Sequence, residues 1–248
     1  MNEKLLRHFH EIEKIHWWWE GRRQILRQSL EKKPGLKILD IGCGTGETLT
    51  FLEGCLDKPK LYGIDNMPVA IDFARKRGHK NIRLVDAKKL PFNANSFDYV
   101  LLLDVIEHIE DDSGILLEAK RVLKKGGKII ITTPALQFIW SEHDSEQGHF
   151  RRYTRSRMRW LAIKTRLAID RISYFNFFLS PAIILLRLLG RLKPFKKVNS
   201  YDSKLNYDIA KKSLINDLLK IIFVTEIKLM KYISYPIGIS IFTVLKKK

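Results

Sequence analysis

The chain has 248 residues, 45% hydrophobic and 29% charged, enough to bury one substantial core. Two cysteines exclude a disulfide framework, which together with Cys43 in a glycine-rich turn points to a reducing, cytoplasmic setting. The net charge of +18 is one-sided: residues 1–150 hold 23 Lys and Arg against 22 Asp and Glu, whereas residues 151–248 hold 22 against 5. That asymmetry calls for an anionic partner of the second half: a membrane surface, an anionic lipid-linked or phosphorylated substrate, or nucleic acid.

The opening MNEKLLRHFHEIEK has no uninterrupted apolar stretch, so no signal peptide is expected. Leu5, Phe9, Ile12 and Ile15 recur at helical spacing, and the spacing predicts one helix over 5–30, broken by Pro34-Gly35. From there short apolar runs alternate with helical ones. Strands are predicted over 36–41, 60–65, 81–86, 97–104 and 128–133, and helices over 46–55, 68–77, 114–123 and around 105–109. Such alternation builds βαβ units and a parallel sheet. Beyond it, 167–177 reads as a sixth strand, and Ser180-Pro181 as the start of a helix carrying AIILLRLLGRL. A basic stretch over 193–212, an amphipathic helix over 214–230 and a last strand within 236–245 complete the chain.

The strongest chemical signal is KILDIGCGTGETLTFL. A strand ends at Asp40-Ile41, and Gly42, Gly44 and Gly46 follow before a helix, letting the backbone turn sharply and approach a ligand near a helix N-terminus. The second strand ends in Asp65, suited to ribose hydroxyls, and the third in Asp86, followed by Ala87, where an adenine amino group could be read. A nicotinamide fingerprint would need glycine at position 47, which is Glu47.

The glycine motif, Asp65, Asp86 and the run LPFNANSFDYVLLLDVIEHIED…RVLKKGGKIIITTP resemble the class I S-adenosylmethionine-dependent methyltransferases. The resemblance covers residues 35–134 closely, and the closing IGISIFTVLKK is similar to the family's last strand. It implies an α/β, Rossmann-like, seven-stranded sheet in the order 3-2-1-4-5-7-6 with the last strand antiparallel. On that pattern Asp40, Gly42, Gly44 and Gly46 cradle the methionine part of S-adenosylmethionine. Asp65 takes the ribose, Asp86 and Ala87 the adenine, and Asp104 faces the methyl group. The chain then divides into an N-terminal helical lid (1–34), a cofactor-binding core (35–177), a basic helical insertion (178–232) and the last strand (233–248).

Methyl transfer needs a nucleophile placed in line with the sulfonium methyl, and an oxygen or nitrogen nucleophile usually also needs its proton removed. SEHDSEQGHFRRYT, over 141–154, follows the fifth strand at the carboxyl edge of the sheet, where open α/β folds place ligands. His143 is the first choice of general base and His149 the second, with Asp104 beside the methyl; Arg151, Arg152 and Tyr153 form the substrate side. The competing reading is that these residues only fix a loop, an arginine pairing with Glu142 or Asp144. In HWWWEGRR the three rings cannot share one helix face, so at least one packs on the core; Trp18 and Arg22 join the substrate side under a lid over 16–23. That motif and H-D-x-x-x-G-H-x-R-R-Y-T resemble bacterial methyltransferases associated with cell-envelope glycan genes.

Asp104, Glu107 and His108 form D-x-x-E-H, similar to an E-x-x-E-H feature of some ubiquinone-biosynthesis O-methyltransferases and of a small-RNA methyltransferase, where it binds a divalent ion. His143 or His149 would add a ligand, but the first-position Asp shortens the reach, and no metal is assigned. The run FFLSPAIILLRLLGRL is interrupted by Ser180, Pro181, Arg187 and Arg191 and falls short of the roughly 20 residues of a spanning helix. It reads either as an interfacial helix on an anionic membrane or as a helix packed on protein. The expected activity is methyl transfer to a hydroxyl of a small-molecule, sugar or lipid-linked acceptor. Its rivals are an RNA methyltransferase, disfavoured because aromatics and arginines do not interleave, and a non-catalytic cofactor-binding or membrane-docking protein.

Overall fold

A computed structural model describes residues 3–189 and 213–248, apart from the side chains of Lys4, Leu5, His143 and Ser213. The predicted basic stretch over 193–212, with Arg191, lies outside the described residues. Seven strands, β1 (Lys37–Ile41), β2 (Lys60–Asp65), β3 (Ile82–Leu84), β4 (Phe97–Leu103), β5 (Leu123–Pro134), β6 (Ala168–Phe175) and β7 (Ser240–Lys246), form one sheet. Their order is β3-β2-β1-β4-β5-β7-β6, as the resemblance implies. β1 to β5 are parallel, and β7 runs antiparallel to both β5 and β6. The central strands carry near-continuous apolar runs because a parallel sheet is covered on both faces: Val100, Leu101, Leu102, Ile129, Ile130 and Ile131 are fully buried.

Helices α1 (Glu3–Ile12) and α2 (Trp17–Ser29) precede the sheet, and α3 (Glu47–Cys55), α4 (Pro68–Lys76) and α5 (Asp112–Val122) join its parallel strands. The single helix predicted over 5–30 is in fact two. His16 caps α2, its Nδ1 accepting the Trp18 amide at 3.1 Å, and Arg23 donates to the carbonyls of Glu13 and Lys14 to pin the corner. The apolar periodicity runs straight through that corner, and histidine is not among the usual capping residues, so the sequence pattern hides the break.

Three helices follow β5 or flank the last strands: α6 (Glu142–Glu146), α7 (Arg155–Lys164) and α8 (Ser180–Leu189); α9 (Ser213–Leu229) precedes β7. Neither α6 nor α7 is predicted from the sequence; α6 is barely one turn, and α7, RSRMRWLAIK, lacks a clean apolar face. α9 packs on α2: Asn216 accepts the Trp17 amide at 3.0 Å and donates to the Ile15 carbonyl at 2.8 Å, and Phe223 stacks on Trp18. A Cβ at Gly21 would stand 2.1 Å from the Phe223 ring, so this approach requires glycine there.

All the strand ends that matter lie on one side. β6 runs with β5 because each is antiparallel to β7, and Pro134 and Phe175 both pair with Ser240. α2 crosses this carboxyl edge, touching Asp104 after β4 through Arg22 and Phe175 at the tip of β6 through Trp18.

Candidate active site

A cavity of about 2030 Å³ opens along the carboxyl edge, lined from Asp65 at β2 to Ile239 and Ser240 at β7. At the β1 tip, Asp40 is buried, and burial, reinforced by the Asp65 charge and opposed by Arg22, pushes its pKa up to about 7. Gly42 turns the chain with φ 70°; a Cβ there would stand 2.5 Å from Val105 Cγ2. Asp65 accepts the amides of Gly44 and Met67, each at 2.9 Å, and burial still holds its pKa above the usual carboxylate range. Asp86 is exposed and accepts the Lys88 amide, with Ala87 half-buried beside it.

Asp104 follows β4 in the left-handed region, φ 56°, a conformation costly for a non-glycine residue and typical of functional positions. Its Oδ2 accepts from Arg22 at 3.1 Å, and its buried Oδ1 has no partner among the described residues. Glu13, at the corner between α1 and α2, meets Thr45 of the glycine loop and Arg77 after α4, which also pairs with Glu47. The N-terminal helices are thereby tied to the glycine loop.

The short 3-10 turn Ile106–His108 after β4 brings Glu107 and His108 to the cavity. Glu107 is buried; its Oε2 accepts from Thr133 at 2.9 Å, and its Oε1 has no partner among the described residues. Burial and the Asp104 carboxylate raise its pKa well above the ordinary carboxylate range. Burial, aided by His149, pushes His108 down to about 4, leaving a neutral imidazole. The His108 and His149 rings lie 4.7 Å apart, edge to face.

The segment 141–154 is organised by Asp144, which is fully buried. It accepts from His149 Nδ1 at 3.0 Å, from Arg152 Nε and Nη2 at 2.8 and 3.0 Å, and from the Ser141 amide at 2.9 Å. Burial alone would raise its pKa, but the donors from His149 and Arg152 outweigh that and hold it well below the carboxylate range. The bond to Asp144 leaves Nε2 as the open nitrogen of His149.

The sequence places Arg151, Arg152 and Tyr153 on the substrate side. Arg152 lines the cavity but is buried, with one edge on Asp144 and Nη1 on the Ala135 carbonyl. Tyr153 is fully buried, its hydroxyl donating toward the Ile106 carbonyl and Asp112, and Arg151 reaches the Ile109 carbonyl and Asp112. These three hold the loop in place. Trp18 and Arg22 line the cavity, with Trp18 stacked against both Phe175 and Phe223 in a three-ring cluster. The backbone of His143 lies in α6, but its side chain is outside the described residues.

Two features escape the sequence pattern. Arg187, in a segment whose sequence fits either a membrane interface or packing on protein, donates to the Ile139 carbonyl and Ser141 Oγ, both at 3.1 Å, and moors α8 to the loop after β5. Asn176, with φ 59° at the β6 tip, is fully buried, and its side-chain amide has no partner among the described residues. Nothing in a lone Asn after an apolar strand marks it. Glu107, His108 and His149 also bring ligand-type atoms within 4.8 Å of one another; Asp104, paired with Arg22, is not in that group.

Residues 39–131 match the family model of a methyltransferase domain. Over those residues the chain carries a methyltransferase domain, and its strand order is that of the class I S-adenosylmethionine-dependent methyltransferases. It is 32% identical over 116 residues to the demethylmenaquinone methyltransferase of Bacillus mycoides (strain KBAB4), covering 44% of this chain and 48% of the relative. To the Geobacillus stearothermophilus enzyme of that name it is 36% identical over 119 residues, 45% of this chain and 50% of the relative. The chain spans about half the length of these curated relatives. Its fold is that of Haemonchus contortus phosphoethanolamine N-methyltransferase 2 in complex with S-adenosyl-L-methionine (TM-score 0.61, 24% identity, 92% of this chain and 52% of that one). It is likewise that of a Thermotoga maritima methyltransferase (TM-score 0.58, 19% identity, 98% and 94%).

The methyltransferase cofactor fits the residues present. A Cβ at Gly44 would meet nothing nearer than Leu6 Cδ1 at 4.0 Å, so the loop backs onto open space, and the unpartnered Asp104 Oδ1 lies on the same cavity. S-adenosyl-L-methionine is the molecule held by the Haemonchus contortus neighbour of the same fold.

Proposed function

We propose that the protein transfers a methyl group from S-adenosylmethionine to an oxygen of a small-molecule, sugar or lipid-linked acceptor. The observation that carries this is the sharing of one cavity by acid-tipped strands β1, β2 and β4 and by a histidine whose Nδ1 is held by a buried carboxylate. S-adenosylmethionine, when bound, supplies the electrophilic methyl. Asp40 with the Gly42–Gly46 backbone holds its amino-acid part, Asp65 the ribose, and Asp86 and Ala87 the adenine edge. Arg22 steadies Asp104 beside the reacting centre, and α1 and α2 act as a lid that excludes water.

Placing the acceptor in line provides most of the rate, on the order of 7–11 kcal/mol for well-oriented reactants. His149 takes the acceptor proton at Nε2, while Asp144 keeps its Nδ1 proton in place. Proton removal by a positioned base contributes about 10²–10⁴-fold. The test is methyl transfer from tritiated cofactor into a cell-envelope extract. His149→Ala should keep affinity for S-adenosylhomocysteine and lose turnover on that scale; wild-type rates would remove His149 from the reaction, and His143→Ala then tests the other candidate.

The Glu107, His108 and His149 grouping favours a second reading, in which these three hold a divalent cation that orients the acceptor oxygen. A chelator that abolishes transfer, reversed by magnesium, manganese or zinc, would favour it; chelator-insensitive turnover would exclude it. Peripheral docking on an anionic membrane surface at the cytoplasmic face is supported by the exposed Leu185, Leu188 and Leu189 of α8. Among the described residues no helix is long and apolar enough to cross a membrane. Flotation with anionic vesicles at low salt tests it: protein left at the bottom of the gradient refutes it.

A further inference from the structure

We propose that the half of the cavity under β5, β7 and β6 is a channel for a hydrocarbon chain carried by the methyl acceptor, with α8 as its roof. The inference rests on the methyl-transfer reading of the site and adds a substrate class to it.

α8, SPAIILLRLL, is apolar on nearly every side, yet Ser180 is its only buried residue. A helix of that kind is ordinarily surrounded by protein core or by lipid. Leu179, Ala182, Ile183 and Leu186 stand at i, i+3, i+4 and i+7, which makes one stripe, and all four line the active-site cavity. Leu219 of α9 and Ile239 before β7 face the same space. Arg187 lines the cavity beside the stripe and is bonded to the Ile139 carbonyl and Ser141 Oγ, so the helix is held with its apolar stripe over the cavity.

Size and polarity agree. The cavity, about 2030 Å³, is at least twice the roughly 300–1,000 Å³ of sites for drug-sized ligands, which leaves room for a second large molecule beside the cofactor. From Asp104 to the tip of β6 the edge spans three inter-strand spacings, about 14 Å. Along it the lining changes from Asp104, Glu107, His108 and His149 to the Leu and Ile of α8 and α9, interrupted by Asn176, Arg187 and Ser240. The polar end suits the group that is methylated and the apolar end suits a chain. A wholly polar acceptor would set most of its hydroxyls against the aliphatic side chains of α8 and Leu219, with Asn176, Arg187 and Ser240 to meet only a few of them.

The probes are 1-butanol, 1-hexanol, 1-octanol and 1-decanol, titrated into protein loaded with S-adenosylhomocysteine. Fluorescence of Trp17, Trp18 and Trp19, which line the cavity, reports binding. Affinity should rise about two- to fourfold per added methylene. Ile183→Asp, and Leu186→Asp at a half-exposed position, should flatten that rise and weaken decanol binding at least tenfold. Leu185→Asp, on the outer face of α8 and 57% exposed, should leave it unchanged. A flat series in the wild type, a rise that survives both inner substitutions, or one abolished by Leu185→Asp overturns the channel. Failure to take up S-adenosylhomocysteine would defeat the methyl-transfer reading instead. The same series on unloaded protein then decides the channel separately.

Discussion

Asp40 offers a test of the site's electrostatics that needs no acceptor. The carboxyl is 2% exposed, and its pKa is pushed from an ordinary 3.8 up to about 7. A carboxyl with a folded-state pKa above its unfolded one binds its proton more tightly in the folded chain. Its contribution to stability is therefore complete below the unfolded value of 3.8 and is lost as pH rises through about 7. A difference of about three units corresponds to about 4 kcal/mol. Asp40→Asn removes the titration while keeping size and polarity. Wild type and variant share every other titrating group, including the raised Glu107, so the difference between them isolates Asp40. Urea unfolding at pH 4 and pH 8 should show the wild type losing about 2–4 kcal/mol relative to Asp40→Asn. At roughly 2–4 °C per kcal/mol for a chain of this size, the melting temperatures should diverge by about 4–16 °C. Parallel pH profiles for the two proteins would refute the reasoning.

Asp144→Ala removes the carboxylate from the buried Arg152 guanidinium and should cost about 3–5 kcal/mol, read by denaturant unfolding. A loss below 1 kcal/mol would mean Asp144 does not hold the loop. Gly21→Ala drives a methyl into the Phe223 ring and should cost about 1–3 kcal/mol by overpacking between α2 and α9, lowering the melting temperature. Gly42→Ala combines a positive φ with a clash at Val105 and should weaken S-adenosylhomocysteine binding more than tenfold in calorimetry, with the sheet intact by circular dichroism.

The sheet was legible because its first four strands each run into an acid, Asp40, Asp65, Asp86 and Asp104, and because the motifs recur at the family's spacings. The strands over 60–65 and 97–103 lie within a residue of where the pattern put them. What the pattern missed depends on contacts distant in sequence. The corner at 13–16 is held by Arg23 and by Asn216, about two hundred residues away, while local periodicity reads straight through it. Asp144 looks like any acid in a polar loop; its hub role arises because α8 brings Arg187 and the turn at 148–152 brings His149 and Arg152 onto it. Arg187 illustrates the limit in reverse: at helical spacing from Arg191 it suggests a basic stripe, and only tertiary placement turns it inward.

Calorimetric titration of the pure folded chain with S-adenosylhomocysteine reaches the centre of the account most directly. One molecule should bind per chain in the wild type, and binding should be lost in Asp65→Ala at unchanged melting temperature. A folded wild-type chain that takes up none, or an Asp65→Ala chain that binds as well as wild type, would contradict it.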